Sequence, residues 1–397
     1  MNILLVNTFY YPDICGGAEV SVQKLAEGLK DAGHKVYVLV TSEYDYSENI
    51  NGVEVIRFRT RNLYNTLNVK NIKGIKKAIY KVIDLYNLFN YSKLMNVIKK
   101  IDPQIIHTNN IYGISPIVWS IAKKKNIKLV HTVRDYYIIC PKVNCLCKSE
   151  KCNIKNICTV YKKYTRNVSK NIDSVVFISK FIKKKFRDEN YFSKNKNYVI
   201  YNAIDYEESD VKQKIITKQN LEKKNIDLVF IGTLDKHKGV DILLESFFDY
   251  ENKNIKLHIA GKGKLENLVK EYEEKDNRIK YYGFISHDQI EKFLDEFDVL
   301  IAPSIWEEPF GRVVIDSYKS AMPVIASKNG GLAETVINNK TGLLLDEVNK
   351  ENLISAFEKI SNREVIKMFL KNIELELKKY SLDMHVSNYL NVYGKEE

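Results

Sequence analysis

Two carboxylates and a lysine in the C-terminal half form the pattern that most strongly points to chemistry. In Trp306-Glu307-Glu308-Pro309-Phe310-Gly311 an acidic loop leads through a glycine into a helical stretch at 312–320, and Asp316 follows Glu308 by eight positions. Gly311 would let backbone N–H groups approach a phosphate at the helix start. Glu308 and Asp316, a little over two helical turns apart, could accept hydrogen bonds from sugar hydroxyls. Upstream, Gly232-Thr233-Leu234 with Lys238-Gly239 sets a cation just past a strand end, where it could neutralise a leaving diphosphate. In the N-terminal half, Gly16 and Gly17 precede a helix after the first strand, so their N–H groups could cradle an anion. The dinucleotide spacing of Gly, one residue, Gly, two residues, Gly is missing there, and no acidic residue directly ends the second strand. A nicotinamide dehydrogenase is therefore disfavoured.

Three further groups have competing readings. Arg134 and Asp135 stand together at a strand end, where they could form a structural ion pair or bind a donor or acceptor phosphate. His107 and His131 lie near strand ends, either as satisfied core histidines or as acceptor-side residues. Cys140, Cys145, Cys147, Cys152 and Cys158 hold five of the six cysteines within nineteen residues. In a reducing compartment such a cluster favours zinc over disulfides, yet its spacings match no standard zinc pattern, which leaves free thiols in an insertion as the other reading.

The elements that must position these residues follow from length and pattern. At 397 residues, with 45% hydrophobic and 28% charged, the chain suits two globular domains and excludes wholesale disorder. Apolar strands at 3–6, 36–40, 105–107, 129–133 and 175–178 alternate with helical patterns, and the alternation restarts at 228–232, 257–261, 299–303 and 324–327. The fold class is α/β, with two Rossmann-like domains. The first is expected at 1–204 with a Cys-rich insertion at 140–158, then a polar linker at 205–225, a second domain at 226–372, and a final helix at 373–397 returning to the first domain.

The net charge of +12 is segregated. Residues 61–200 hold 29 Lys/Arg against 7 Asp/Glu, a net +22 that leaves the rest at −10. Such asymmetry favours an anionic partner. Without zinc-finger spacing, an RNA-binding aromatic motif or a basic zipper, a membrane surface or a phosphate-bearing substrate ranks above nucleic acid. No run approaches the ~18 apolar residues of a membrane span, so the chain is expected in the cytoplasm. The stretch 70–86 projects Ile72, Ile75, Ile79, Val82, Ile83 and Tyr86 onto one helix side and Lys70, Lys73, Lys77 and Lys81 opposite. The apolar side is expected on the domain core, leaving the lysine row for anionic lipid.

With these residues in place, nearly the whole chain resembles the retaining nucleotide-sugar glycosyltransferases of family four, which have the two-domain GT-B fold with a central cleft. Its N-terminal half carries the likeness in Gly16-Gly17-Ala18-Glu19, Ala32-Gly33-His34, Asp102-Pro103 with Ile106-His107, Arg134-Asp135-Tyr136 and the stretch 202–205. In the C-terminal half the matching pieces are Gly232 with Lys238-Gly239, Ala260-Gly261 with Gly263, Pro303-Ser304, Glu308-Pro309-Phe310-Gly311, Pro323-Val324-Ile325-Ala326-Ser327, Gly330-Gly331 with Glu334, and Thr341-Gly342. The resemblance implies transfer of a sugar from a nucleoside diphosphate donor to an acceptor hydroxyl with retained anomeric configuration. It implies Glu308 facing the donor sugar, Asp316 on the ribose hydroxyls, Lys238 on the diphosphate, and no metal. The chain departs from the family pattern at Thr233, where Arg is common and where Arg312 or Lys236 is expected to supply the absent diphosphate-binding cation, at Asp316, where Glu is usual, and at Arg134, where His often stands.

The expected activity is a metal-independent retaining transferase at the inner membrane face, building a glycolipid or surface polysaccharide. The rivals are a non-catalytic nucleotide-sugar-binding subunit and a nucleotide-sugar epimerase of the same fold. Donor base and sugar, acceptor and linkage are not encoded in any motif.

Overall fold

The computed structural model describes residues 1–13, 16–63, 75–141, 143, 145 and 155–394, and divides into two compact units, Met1–Ala203 with Leu382–Glu397 and Ile204–Ser381. In the first unit, β1 (Asn2–Val6), β2 (Lys35–Ser42), β3 (Tyr46–Ile50), β4 (Val53–Arg59), β5 (Ile105–Thr108), β6 (Lys128–Val133), β7 (Ser174–Phe177) and β8 (Lys196–Val199) form one sheet in the order β3-β4-β2-β1-β5-β6-β7-β8. All neighbours are parallel except β3 and β4. The central strands are apolar on both faces, as parallel strands covered by helices must be; Ile3 through Val6 are all buried. The hairpin β3–β4 turns at Asn51 and Gly52, both with positive φ.

The helix Gly17–Asp31 buries Val20, Val22, Leu25, Ala26 and Leu29. The final helix, Leu382–Tyr393, joins the same core through Val386, Tyr389, Val392 and Tyr393. The close approach depends on Gly28, where an added Cβ would sit 2.5 Å from a Val386 methyl.

The second unit holds β9 (Ile226–Ile231), β10 (Ile255–Ala260), β11 (Ile279–Tyr281), β12 (Val299–Ala302), β13 (Val324–Ser327) and β14 (Gly342–Leu345), all parallel in the order β11-β10-β9-β12-β13-β14. Among the parallel strands of each sheet the order reverses at one place, between β1 and β5 and between β9 and β12. Ligands of open α/β sheets bind at the carboxyl ends of strands at such reversals.

Three expectations need correction. The stretch 205–225 is not a bare linker, because Glu208–Asn220 is a helix of the second unit that buries Val211 and Ile215. Nor does the return to the first unit begin at 373: the helix Arg363–Leu377 stays in the second unit, and the crossing falls at Leu382.

The third correction concerns the helix Ile75–Leu85. It turns Tyr80 and Asp84 inward and leaves Ile79 and Val82 exposed, with Val82 at 69%. Asp84 is the cause: its carboxylate accepts from Gly113 N at 2.9 Å and from the Tyr137 hydroxyl at 2.7 Å, while Tyr80 packs on Tyr112 with ring centroids 5.6 Å apart. Rotating the apolar stripe inward would strand these polar groups. The Lys81 ammonium bonds the Pro141 carbonyl, so this member of the lysine row is already engaged. Lys70, Lys73 and Ile72, and the side chains of Ile75 and Lys77, lie outside the described residues.

Candidate active site

In the second unit the site grows from the reversal between β9 and β12. Past β9, Asp235 caps a short turn at Lys236–Lys238, which Gly239 closes at φ 72°. A side chain is impossible there, since a Cβ would lie 2.1 Å from the Pro303 carbonyl oxygen. The turn then holds the loop past β12: the His237 carbonyl accepts from Ile305 N and Trp306 N, each at 3.0 Å. Glu308 is fixed from the other side, its carbonyl accepting from Gly331 N at 2.7 Å. These contacts bring Lys238 Nζ to 2.8 Å from Glu308 Oε1, with the ammonium 5.3 Å from the Trp306 ring centroid. Both side chains remain partly accessible, at 21% and 13%.

Gly311, at φ 89°, begins the helix Arg312–Lys319. Arg312 Nη2 stands 3.6 Å from Asp316 Oδ1, and burial raises the Asp316 carboxyl above its ordinary value although Arg312 opposes the shift. Thr233 is exposed beside Gly232. The Phe310 ring is buried against Tyr380 at 6.0 Å, so its side chain is a packing anchor for the loop rather than a donor contact.

In the first unit, Gly16 precedes the helix Gly17–Asp31, and Glu19 Oε2 accepts from its N–H at 2.9 Å. Burial raises the Glu19 carboxyl, and the Asp135 and Arg134 charges act on it in opposite directions. Arg134 ends β6 and is buried, donating from Nε to Asn109 Oδ1 at 2.8 Å and from Nη1 to Asn202 Oδ1 at 2.6 Å. Asp135 Oδ1 accepts from Tyr137 N at 2.8 Å, whereas Oδ2 is buried with no hydrogen-bond partner. Burial lifts this carboxyl to about 6. Gly16, Gly17, Arg134 and Asp135 therefore share one polar end of the sheet with Glu19, Asn109 and Asn202.

His107 and His131 do not belong to an acceptor-facing surface. His107 Nδ1 pairs with the Tyr393 hydroxyl at 2.6 Å and Nε2 with Thr132 Oγ1 at 2.7 Å. His131 Nδ1 meets Thr108 Oγ1 at 2.9 Å, and the Trp119 indole donates to the same hydroxyl at 3.0 Å. Burial pushes both imidazoles well down, His131 to about 3, so both stay neutral struts.

Of the cysteines described, Cys140 is buried, and Cys145 and Cys158 are half-buried. The Cys145 thiol is pushed up by its hydrogen bond with Cys140 and by burial. Among the described residues no three His, Cys, Asp or Glu side chains gather as a metal site, and Cys147 and Cys152 lie outside them.

His237 and Asn109 stand outside the motifs read from the sequence, and Trp306 and Asn202 stand within them without a role of their own. Trp306 had a signal, being one of two tryptophans and adjoining the acidic loop; Asn109 lies in a polar run that ends β5.

Two doubly wound sheets, parallel but for the β3–β4 hairpin, with polar loops at their reversals define an α/β protein of paired Rossmann-like units. Residues 15–208 match Glycosyltransferase Family 4 and residues 211–376 match Glycosyl transferases group 1. An uncharacterized 42.6 kDa protein in the cps region of Klebsiella pneumoniae is 32% identical over 337 residues, covering 84% of this chain and 87% of that protein. Among solved structures, sucrose-phosphate synthase from Thermosynechococcus elongatus superposes with a TM-score of 0.76 at 20% identity, covering 98% of both chains. Anabaena HepE in complex with UDP follows at 0.70 and 18% identity, covering all of both chains. The chain belongs to the family-four glycosyltransferases and has their GT-B fold.

Proposed function

We propose that this glycosyltransferase is a retaining, metal-independent enzyme that moves a sugar from a nucleoside diphosphate donor to an acceptor hydroxyl in glycolipid or surface polysaccharide synthesis. The observation that carries the reading is the Lys238–Glu308 pair, held at 2.8 Å beside the helix start at Gly311. As the glycosidic bond breaks, negative charge collects on the diphosphate. Lys238 and the N–H groups after Gly311 supply fixed positive charge for it. Glu308, next to that ammonium, faces the sugar, and Asp316 accepts from ribose hydroxyls. In the other unit, Arg134 and Asp135 serve the acceptor. Support for a surface polysaccharide comes from the relative in a cps region, and support for a uridine donor from HepE, which was solved with UDP.

The +22 charge of residues 61–200 supports residence at the cytoplasmic membrane face, where each Lys or Arg near an anionic leaflet contributes on the order of 1 kcal/mol. No helix among the described residues is long and apolar enough to cross a membrane. A structural zinc at the cysteine cluster is a separate proposal, checked by elemental analysis of the purified protein.

A thermal-shift screen of UDP-, GDP- and ADP-sugars tests the donor, because a ligand that binds only the native state raises the melting temperature. The one stabilising donor, incubated with acceptor and EDTA, should still be consumed with retention. Conversion of the sugar without any acceptor would point instead to an epimerase, and a requirement for added magnesium would remove metal independence.

A further inference from the structure

The outward face of the helix Ile75–Leu85 lacks an explanation in the sugar-transfer chemistry. Ile79, Val82 and Tyr86 recur at helical spacing on one side, all exposed, and the chain continues through Leu88 and Phe89, at 63% and 65% exposure. The stripe extends across a neighbouring helix, Lys155–Val168. Tyr86 and Tyr164 meet edge to face at 6.4 Å, the Tyr164 hydroxyl donates to the Leu85 carbonyl, and Val160, one turn away, is 71% exposed. Contiguous apolar surface of this kind marks a partner.

Charge identifies the partner. On one side the stripe meets a cleft of about 600 Å3 lined by Val160 and Tyr164 together with Lys163, Arg166, Lys170 and Lys194, and by no acidic residue among those described. Arg166 Nε there is buried with no hydrogen-bond partner. On the other side Phe89 shares a second cleft with Arg59, Arg61 and Lys93, whose single acid, Asp45, bonds Lys93. A second copy of this chain, docking by two-fold symmetry, would set these cations against their own equivalents. An anionic bilayer offers both matching chemistries, acyl chains for the stripe and phosphates for the flanking clefts.

We propose that the Ile79, Val82 and Phe89 surface inserts into the acyl boundary of an anionic leaflet, with the Lys163 and Arg61 clefts resting on lipid phosphates. This rests on the membrane-face reading above and deepens it, replacing attraction at the lysine row by insertion. Of the lysines counted in that row, Lys81 is the one whose side chain is described, and it is bound to Pro141.

The test uses the full chain with vesicles of phosphatidylcholine alone or mixed with phosphatidylglycerol. Val82→Trp should show a blue-shifted emission on the mixed vesicles and be quenched by brominated acyl chains, once the wild-type signal of buried Trp119 and half-buried Trp306, recorded on the same vesicles, is subtracted. Val82→Ser with Phe89→Ser should weaken binding at least about tenfold in about 1 M salt, where surface attraction is screened to ~3 Å. An unmoved Val82→Trp emission on vesicles that do bind the protein would overturn insertion and leave an electrostatic membrane contact standing. Failure of the wild type to bind any vesicle would overturn both readings. Concentration-dependent dimers without lipid, abolished by the double substitution, would transfer the surface to self-association.

Discussion

Lys238 and Glu308 form a charge pair in which each partner keeps the other in place, and both stay accessible enough to exchange that partner for a ligand. If the pair acts on the diphosphate and the sugar, Lys238→Ala and Glu308→Ala should each lower turnover by ~10²-fold or more, the usual loss when one electrostatic partner of the transition state is removed. The measured melting temperature should change little by comparison, since partly exposed pairs stabilise weakly. Near-native turnover in either variant would place the reaction elsewhere. Arg134 behaves differently, because it satisfies Asn109 and Asn202 in the interior. Arg134→Ala is therefore expected to lower the melting temperature as well as activity, and Arg134→Lys, which cannot reach both amides in the same plane, should recover only part of either. A fully stable Arg134→Ala chain with an altered acceptor KM alone would show that its internal bonds are dispensable.

At the scale of an element, the helix Ile75–Leu85 is held by a buried acid. Burial lifts Asp84 to about 7 from an ordinary 3.8, against the opposing bonds from Tyr137 and Gly113. A carboxyl with a raised folded pKa binds its proton more tightly in the native state, so its contribution to stability is complete below about pH 4 and is lost as pH rises through about 7. Asp135, lifted to about 6, adds in the same direction and over a narrower window. Chemical denaturation of the wild type at pH 5 and pH 8 should thus differ by an amount on the order of a few kcal/mol favouring pH 5, before other groups are counted. Asp84→Asn, neutral at both values, should remove much of that difference. An unchanged pH profile would mean that Asp84 ionises freely in the fold.

For the molecule as a whole, the crossing at Leu382 makes the first unit depend on the last residues of the chain. Val386, Tyr389, Val392 and Tyr393 sit in the core of the first unit, and the Tyr389 and Tyr393 hydroxyls bond Thr132 and His107. Each buried side chain of this size contributes about 1.5–3 kcal/mol, so their sum rivals the ~5–15 kcal/mol that holds a typical domain. A chain ending at Ser381 should lose protease resistance in residues 1–203 while the second unit remains protected. Tyr393→Phe is the milder form, leaving a buried imidazole nitrogen without its partner at a cost of about 1–3 kcal/mol. Equal protection of the first unit with and without the final helix would overturn this dependence.

Local signals were enough to read the alternation of strands and helices, the position of the glycine turns and the placement of Lys238 and Glu308 just beyond strand ends. Apolar runs and turn residues act within a few positions, and a motif such as Glu308-Pro309-Phe310-Gly311 carries its own backbone requirements. The hairpin at Asn51-Gly52, which the alternation of strands and helices did not pick out, carries a signal of the same kind, since Asn-Gly favours the two positive φ values found there. The rest was decided by partners distant in sequence. His107 became a strut because Tyr393, 286 positions away, reaches its ring. The helix Ile75–Leu85 faces outward because Gly113 and Tyr137 hold Asp84, and periodicity counts apolar residues without knowing which polar group has a buried partner waiting. The sequence by itself thus determined the elements and the loops that carry chemistry, while the tertiary structure alone decided which faces are buried, because burial is settled by satisfying polar groups across the fold and not by local pattern.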